Sequence, residues 1–181
     1  MTQNATRTGG RILVDQLVIQ GCDRIFSVPG ESFLAVLDAL HDTPQIENIV
    51  CRQEGGVAFM ACADGALTGQ PGIAFVTRGP GATNASIGVH VAHQDSQPMI
   101  LFVGDVARSA QGREGFQEVD FTAFFSPICK WAARIDDAAM YFWVAESQHA
   151  KVAGNEGTVA VERIPKRRVA TEFKHPQRRC S

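Results

Sequence analysis

The sequence lacks several patterns that would assign a function directly. Its five cysteines include no CxxC pair, and most stand in apolar surroundings, which favours reduced, buried thiols over a zinc site or a disulfide framework. No apolar run reaches the length of a transmembrane helix. Residues 1–10 are polar and contain no apolar segment typical of a signal peptide. We therefore expect a cytoplasmic protein without a membrane partner.

The sequence also has no strong excess of one charge. It carries 17 Lys and Arg against 19 Asp and Glu, a net charge of -2, which gives no strong overall attraction to nucleic acid or membranes. Basic residues do accumulate from Arg163 onward. No aromatic or groove-reading element accompanies them, so we expect no nucleic-acid partner.

Common nucleotide and metal motifs are absent as well. Neither GxxxxGK[ST] nor GxSxG occurs, and the GxGxxG pattern that begins at Gly79 has Asn84 in place of its third glycine. This excludes a P-loop and a hydrolase elbow and disfavours a dinucleotide site. His90 and His93 are three residues apart and could share a metal, but no further ligand has suitable spacing. We expect both histidines to lie on a partly buried face of a helix and to bind no metal.

The 181 residues suffice for one domain. Strands and helices alternate at a spacing of about 25 residues, which predicts right-handed βαβ units. The expected fold is therefore α/β, with three α/β/α layers and a mostly parallel sheet of about five to six strands. Predicted strands cover 24–28, 48–51, 73–77, 98–104, 128–132 and 157–161. Predicted helices cover 11–20, 31–41, 54–68, 120–125 and 138–153, and a further helix follows the loop over 78–84 and ends near residue 94.

Domain boundaries follow from the same pattern. We expect a disordered N-terminus over 1–10, a folded domain over 11–165, and a basic, disordered tail over 166–181. Residues 105–119 form a long polar loop, and such a loop in a compact domain is usually functional or mobile.

Unusual residues follow three of the predicted strands. Pro29 and Gly30 follow the first, Glu54 follows the second, and a glycine-rich loop over 78–84 follows the third. Because the carboxyl ends of parallel strands meet at one edge of a sheet, these residues should line a common crevice. Val57, Ala58 and Phe59 suggest an apolar wall beside the carboxylate. A flat polar ligand would suit this crevice better than a metal.

Five motifs in this order resemble one family. They are Val28-Pro29-Gly30, Arg52-Gln53-Glu54-Gly55, Thr77-Arg78-Gly79-Pro80-Gly81-Ala82-Thr83-Asn84, Asp95-Ser96-x-Pro98 and Phe116-Gln117-Glu118-Val119-Asp120. Together they are similar to the N-terminal pyrimidine-binding domain of thiamine-diphosphate enzymes of the acetolactate synthase and pyruvate oxidase group. The resemblance covers residues 11 to 139.

This resemblance implies a role for each motif. Glu54 would be the catalytic residue, which hydrogen-bonds the aminopyrimidine ring and promotes its imino tautomer, while the cofactor serves as the electron sink for a 2-keto acid. Phe116 and Gln117 would reach toward the substrate side. The cofactor-binding set would be Pro29, Gly30, Glu54, Thr77, Pro80, Gly81 and Asn84. Glu31-Ser32 departs from the Gly-Gly or Gly-Ala often found after Pro-Gly in acetolactate synthases.

The resemblance also indicates what this chain lacks. Full-length family members carry a diphosphate-binding domain with a Gly-Asp-Gly…Asn motif, and this sequence has none. Mg²⁺ and FAD are therefore implied only for the full-length enzymes, and the chain alone would bind thiamine diphosphate at its pyrimidine end. We expect a homodimer or a diphosphate-binding partner. The alternative is a truncated, non-catalytic module that only dimerises or binds a partner subunit.

The end of the predicted domain fits the family poorly. Gly157–Val161 is only faintly similar to the family's last strand. Either this unit has diverged or the reading frame changes near Met140, and we lean toward a changed frame.

Overall fold

The computed structural model describes residues 8–136 and the backbone of residues 159–163. Helices are α1 Gly9–Ile19, α2 Leu34–His41, α3 Glu54–Thr68, α4 Pro80–Gln94 and α5 Phe121–Phe125. Strands are β1 Arg24–Ser27, β2 Glu47–Val50, β3 Gly72–Val76, β4 Met99–Val103, β5 Trp131–Arg134 and β6 Val159–Arg163.

The six strands form one sheet in the order β2-β1-β3-β4-β6-β5, and every neighbouring pair is parallel. This confirms the predicted α/β fold and its parallel sheet. From β1 the chain moves outward to β2, and from β3 it moves to the other side. The order therefore reverses between β1 and β3, and the carboxyl ends of these two strands flank the crevice where open α/β sheets bind ligands.

Helices cover both faces of the sheet and complete the three layers. On one face, α1 and α2 pack around Ile25, Phe75 and Phe102. On the other face, α3, α4 and α5 pack around Phe26, Leu101 and further strand residues. All five residues of β3 are buried, as its unbroken apolar run predicts.

Two predicted elements begin later than the sequence suggests. The helix expected from Glu31 starts as a 3₁₀ turn over Glu31–Phe33, and α2 begins only at Leu34. The delay lets the hydroxyl of Ser32 stay within 2.7 Å of the hydroxyl of Thr77. The strand expected at 128 begins at Trp131, because a 3₁₀ turn with a proline occupies Ser126–Ile128.

Two helices begin earlier than predicted: α4 starts at Pro80, inside the predicted loop over 78–84, and α1 starts at Gly9. Thr8 caps α1 by accepting from the amide of Arg11 at 3.1 Å, and Gly10 is buried against the backbone of Ala35. The last strand is shifted from the predicted 157–161 to Val159–Arg163. The predicted helix over 138–153, residues 1–7 and the tail over 166–181 lie outside the described residues. No helix in the described part is long and apolar enough to cross a membrane.

Candidate functional site

Glu54 is the first residue of α3 and lies just past the carboxyl end of β2. The amide of Cys51 donates to the carbonyl of Ser27 at 2.8 Å, which is the last bond of the β1–β2 ladder. Three residues later the helix begins, and the side chain of Gln53 caps it by accepting from the amide of Gly56 at 3.0 Å. The helix start thus brings a half-buried carboxylate to the crevice.

A hydrogen bond from α4 orients this carboxylate. The Nδ2 of Asn84 donates to the Oε2 of Glu54 at 3.0 Å. The other oxygen, Oε1, faces the first turn of α4, where a methyl group built on Gly81 would lie 3.5 Å from it. No hydrogen-bond donor to Oε1 is found among the described residues. One carboxylate oxygen is therefore fixed by Asn84, and the other lies beside Gly81 without a donor from the described part of the chain.

Thr77 lies between two of the predicted glycines. A Cβ at Gly30 would come within 2.6 Å of the Cβ of Thr77, and a Cβ at Gly81 within 2.9 Å of its Cγ2. Real Cβ atoms do not approach so closely, so these two positions need glycine for close packing. The loops after β1 and β3 therefore meet at Thr77, where the strand order of the sheet reverses.

The remaining predicted residues are placed less centrally. Pro80 is the first residue of α4, where its missing N–H costs no helical hydrogen bond. Pro29 is exposed after β1. Gln117 packs on the backbone of Gly79, whose built Cβ would lie 2.6 Å from the Cβ of Gln117. Phe116 is 74% exposed, so its ring is not part of a core.

The predicted apolar wall beside Glu54 is only partly present. Val57 and Ala58 are fully buried, but Phe59 is 42% exposed and points away from the core. Ala58 faces Gly88, where a Cβ would come within 2.4 Å of the Ala58 methyl group. This close helix contact sets the separation of α3 and α4, and so the distance between Glu54 and Asn84.

Two carboxyl groups in the loop after β4 have shifted pKa values. Burial raises the pKa of Asp105, and this effect outweighs the stabilisation of its carboxylate by the amide of Val106 and by Arg134. Across the same loop, the backbone amides of Gly112 and Gly115 lower the pKa of Glu118. Within the described part of the chain, no three His, Cys, Asp or Glu side chains come together to hold a metal.

Sequence reasoning assigned no role to Arg78 and its partner Glu31. The guanidinium of Arg78 is largely buried and pairs with the Glu31 carboxylate. The clue in the sequence was that Glu31 and Arg78 carry opposite charges. They stand in the loops after β1 and β3, the two strands between which the strand order reverses. A single sequence does not reveal that those loops touch.

Comparison with known proteins identifies the family of this chain. Residues 7–124 match the family model of the thiamine pyrophosphate (TPP) enzyme, N-terminal TPP binding domain. The chain belongs to the thiamine pyrophosphate enzyme family. Its TPP-binding domain is 42% identical over 130 residues to acetolactate synthase of Bacillus subtilis (strain 168), a match that covers 71% of this chain and 22% of that protein.

Two further relatives extend this similarity. The mitochondrial acetolactate synthase of Schizosaccharomyces pombe is 34% identical over 171 residues, with 94% of this chain and 25% of the relative covered. The acetolactate synthase isozyme 3 large subunit of Escherichia coli is 34% identical over 166 residues, with 88% of this chain and 28% of the relative covered. The TPP-binding domain described here thus spans about a quarter of the length of these relatives.

The residues around Glu54 have the chemistry that a flat ring with polar edges requires. A flat ring with polar edges needs a carboxylate or amide at its rim and little side-chain bulk over its face. The TPP-binding domain offers Glu54 and Asn84 at the rim, with Gly30 and Gly81 close by.

Proposed function

We propose that this chain forms the pyrimidine-binding half of a thiamine diphosphate site. The observation that carries the proposal is the carboxylate of Glu54, held by Asn84 through one oxygen while its other oxygen lies beside Gly81 and accepts no hydrogen bond from the described residues. That free oxygen would accept a hydrogen bond from the ring edge of an aminopyrimidine. Pro29, Gly30, Thr77, Pro80 and Gly81 would line the space around it.

The chemistry of such a site is divided between cofactor and protein. When bound, thiamine diphosphate supplies the electron sink for reactions of 2-keto acids. The task of Glu54 is to hold a proton-sharing contact with the ring, since general acid–base partners must be within hydrogen-bond reach. Asn84 keeps the carboxylate in the rotamer that makes this contact. Phe116 and Gln117 would border the substrate side.

The relatives support a proposal for the function of the whole protein. They are acetolactate synthases, so we propose a pyruvate-like 2-keto acid as substrate and a decarboxylation or carboligation as the reaction. The diphosphate and Mg²⁺ would be held by another domain or by a partner subunit. A cytoplasmic location stays a prediction.

The test is the binding of thiamine diphosphate to the full chain with Mg²⁺, measured by calorimetry, together with turnover of pyruvate. Glu54→Gln keeps the side-chain shape but removes the charge. We expect it to weaken binding about 10- to 100-fold, because hydrogen bonds to charged groups contribute about 1.5–3 kcal/mol. The matched control is Glu47→Gln, an exposed carboxylate at the other end of β2.

The binding experiment distinguishes three outcomes. Weaker binding by Glu54→Gln with normal binding by Glu47→Gln supports the proposal. Equal binding by both variants and the unchanged chain contradicts the role of Glu54. If the chain binds no thiamine diphosphate and a separately expressed diphosphate-binding domain does not restore binding, the proposal fails for this protein.

A second candidate function is that of an association module without activity. It is favoured by apolar side chains on the outer faces of α3 and α4, close to Glu54. Phe59 is 42% exposed, Met60 40% and Ile87 55%. These side chains would bury against a second copy or a diphosphate-binding subunit.

Sedimentation of the full chain tests this candidate. We expect Ile87→Asp to shift a dimer toward the monomer by at least tenfold in dissociation constant, because a charge placed in an apolar contact is left without a partner. Leu34→Asp is the control, since Leu34 is also exposed but lies on the other layer. A monomeric unchanged chain, or the same shift in both variants, would count against an interface on α3 and α4.

A further inference from the structure

Arg78 joins three loops at the edge of the crevice. Its side chain is only 12% exposed, and its Nη2 pairs with the carboxylate of Glu31, whose side chain is 70% exposed. Its Nε donates to the backbone carbonyl of Phe116 at 2.9 Å. The guanidinium carbon also lies 5.9 Å from the centre of the Phe116 ring. One guanidinium thus connects the loops that follow β1, β3 and β4.

The residues next to this junction tie it to Glu54. Gln117 has a φ of 61° and packs on the backbone of Gly79. Two residues after Gly79, the backbone of Gly81 lies beside the Oε1 of Glu54. The 116–117 segment therefore rests on the same short loop that forms one side of the Glu54 site. The distance between the 116–117 segment and Glu54 therefore depends on the contacts that Arg78 makes.

The exposure of Phe116 indicates what the junction is for. An aromatic ring in a loop normally buries most of its surface in packing, yet this ring is 74% exposed. The contact described for it is the guanidinium of Arg78, and the rest of its surface is accessible to a ligand. Stability of the fold alone does not require the ring of Phe116 to stay exposed beside the buried guanidinium of Arg78.

We propose that Arg78 is a positioning residue that holds Phe116 and Gln117 beside Glu54, with Glu31 as its counter-charge. This inference rests on the proposed function of the Glu54 site. The fork of the guanidinium is essential, because Nε and Nη2 bond to different loops at the same time. It also gives a reason for Glu31, the residue that departs from the small residue often found there in acetolactate synthases. The charge of Arg78 is satisfied by Glu31 and a carbonyl, and the ring of Phe116 faces the ligand.

The position of Phe116 can be measured by limited chymotrypsin cleavage of the full chain, with the site identified by mass spectrometry. Chymotrypsin cuts after exposed aromatic residues once the backbone can leave its docked position. We expect Arg78→Lys and Arg78→Gln to speed the cut after Phe116 at least tenfold. Glu31→Gln should speed it two- to threefold, because its carboxylate is solvated. Arg113→Gln is the control, since Arg113 is exposed in the same loop.

A second measurement separates positioning from direct contact with the cofactor. The affinity for thiamine diphosphate is compared for the unchanged chain, Arg78→Lys, Phe116→Ala and the double variant. If Arg78 acts through Phe116, Arg78→Lys weakens binding about three- to tenfold in the unchanged chain and has no further effect on the Phe116→Ala variant.

The two measurements can fail independently. A cut after Phe116 that stays within twofold of the unchanged rate in both Arg78 variants would overturn the inference. So would an equal loss of affinity for Arg78→Lys with and without Phe116. If neither the unchanged chain nor any variant binds thiamine diphosphate, even with a separately expressed diphosphate-binding domain, the proposed function fails for this chain, and the cleavage rates alone decide whether Arg78 holds the segment.

Discussion

The side-chain amide of Asn84 donates to the carboxylate of Glu54 across 3.0 Å and so joins the first turns of α3 and α4. The two residues lie near the starts of helices that follow different strands, and they meet because these helices pack closely where Gly88 faces Ala58. The hydrogen bond leaves the other oxygen of the carboxylate beside Gly81, without a donor among the described residues. Because Asn84 orients the carboxylate and Glu54 carries it, we expect substitution of Asn84 to lower ligand affinity less than substitution of Glu54.

The first prediction concerns Asn84→Ala. Without the amide, the Glu54 carboxylate can adopt other rotamers, and we expect the affinity for thiamine diphosphate to fall about three- to tenfold. Calorimetric titration measures this change. Gln94→Ala, at the exposed far end of the same helix, should bind like the unchanged chain. Full affinity in Asn84→Ala would mean that the hydrogen bond does not orient the carboxylate.

The second prediction uses the close packing around Thr77. Gly81→Ala places a methyl group 2.9 Å from the Cγ2 of Thr77, and we expect a loss of about 1–3 kcal/mol in the free energy of unfolding. Thr77→Ser removes that Cγ2 and keeps the hydroxyl that bonds Ser32. In this background Gly81→Ala should be neutral or stabilising, because alanine favours helix by about 1 kcal/mol over glycine.

Gly30→Ala is the control for that rescue. Its methyl group would lie 2.6 Å from the Cβ of Thr77, an atom that serine retains. Urea unfolding should therefore show the same destabilisation of Gly30→Ala with Thr77 and with serine. If Thr77→Ser rescues both glycine variants equally, the clash is not the cause of the loss.

The third prediction compares two glycines at the α3–α4 contact. Gly56 in α3 has no atom within 4 Å of a built Cβ, so Gly56→Ala should raise the free energy of unfolding by about 0.5–1 kcal/mol. Gly88 in α4 would place its Cβ 2.8 Å from the backbone carbonyl carbon of Ala58. Gly88→Ala should lower stability by at least about 1–3 kcal/mol, and thermal unfolding would show opposite shifts. A stabilising Gly88→Ala would contradict the close packing of the helices.

The sequence allows the fold and the position of Glu54 to be predicted from simple periodicity. Strands and helices alternate regularly as far as β4, and the order of the predicted strand ends brings Glu54 and the glycine loop to one edge. The partner of Glu54 could not be predicted from the residues alone. It depends on the separation of two helices, which is set by Gly88 and Ala58, and both are unremarkable residues in an alanine-rich helix pair.

The loop after β4 was less predictable for a different reason. Glu114 and Gln117 have φ values of 54° and 61°, in the left-handed region that usually selects glycine or asparagine. Neither residue signals such a turn in the sequence. The route of this loop is instead determined by contacts from elsewhere, including the bond from Arg78 to the carbonyl of Phe116.

Glu118 adds a contact within the loop itself, because its carboxylate closes the turn before Phe116. One oxygen accepts from the amide of Gly112 and the other, at 2.9 Å, from the amide of Gly115. These bonds lower the pKa of Glu118 from its ordinary value of 4.5. A carboxyl whose pKa is lower in the folded state stabilises that state above its unfolded pKa. The contribution is lost as the pH falls through the lower, folded value.

The fourth prediction follows from the direction of this pKa shift. Hydrogen exchange by NMR should show the amides of Gly112 and Gly115 protected at neutral pH, with protection lost only as the pH falls well below 4.5, the ordinary pKa of Glu118. Glu118→Gln should show weaker protection that does not change with pH in this range, because a glutamine side chain has one acceptor oxygen where the carboxylate has two. The amide of Gly104, bonded to the carbonyl of Val76 at 3.0 Å, is the internal control and should stay protected in both proteins. If the protection in Glu118→Gln follows the pH as in the unchanged chain, a carboxyl other than Glu118 controls the turn.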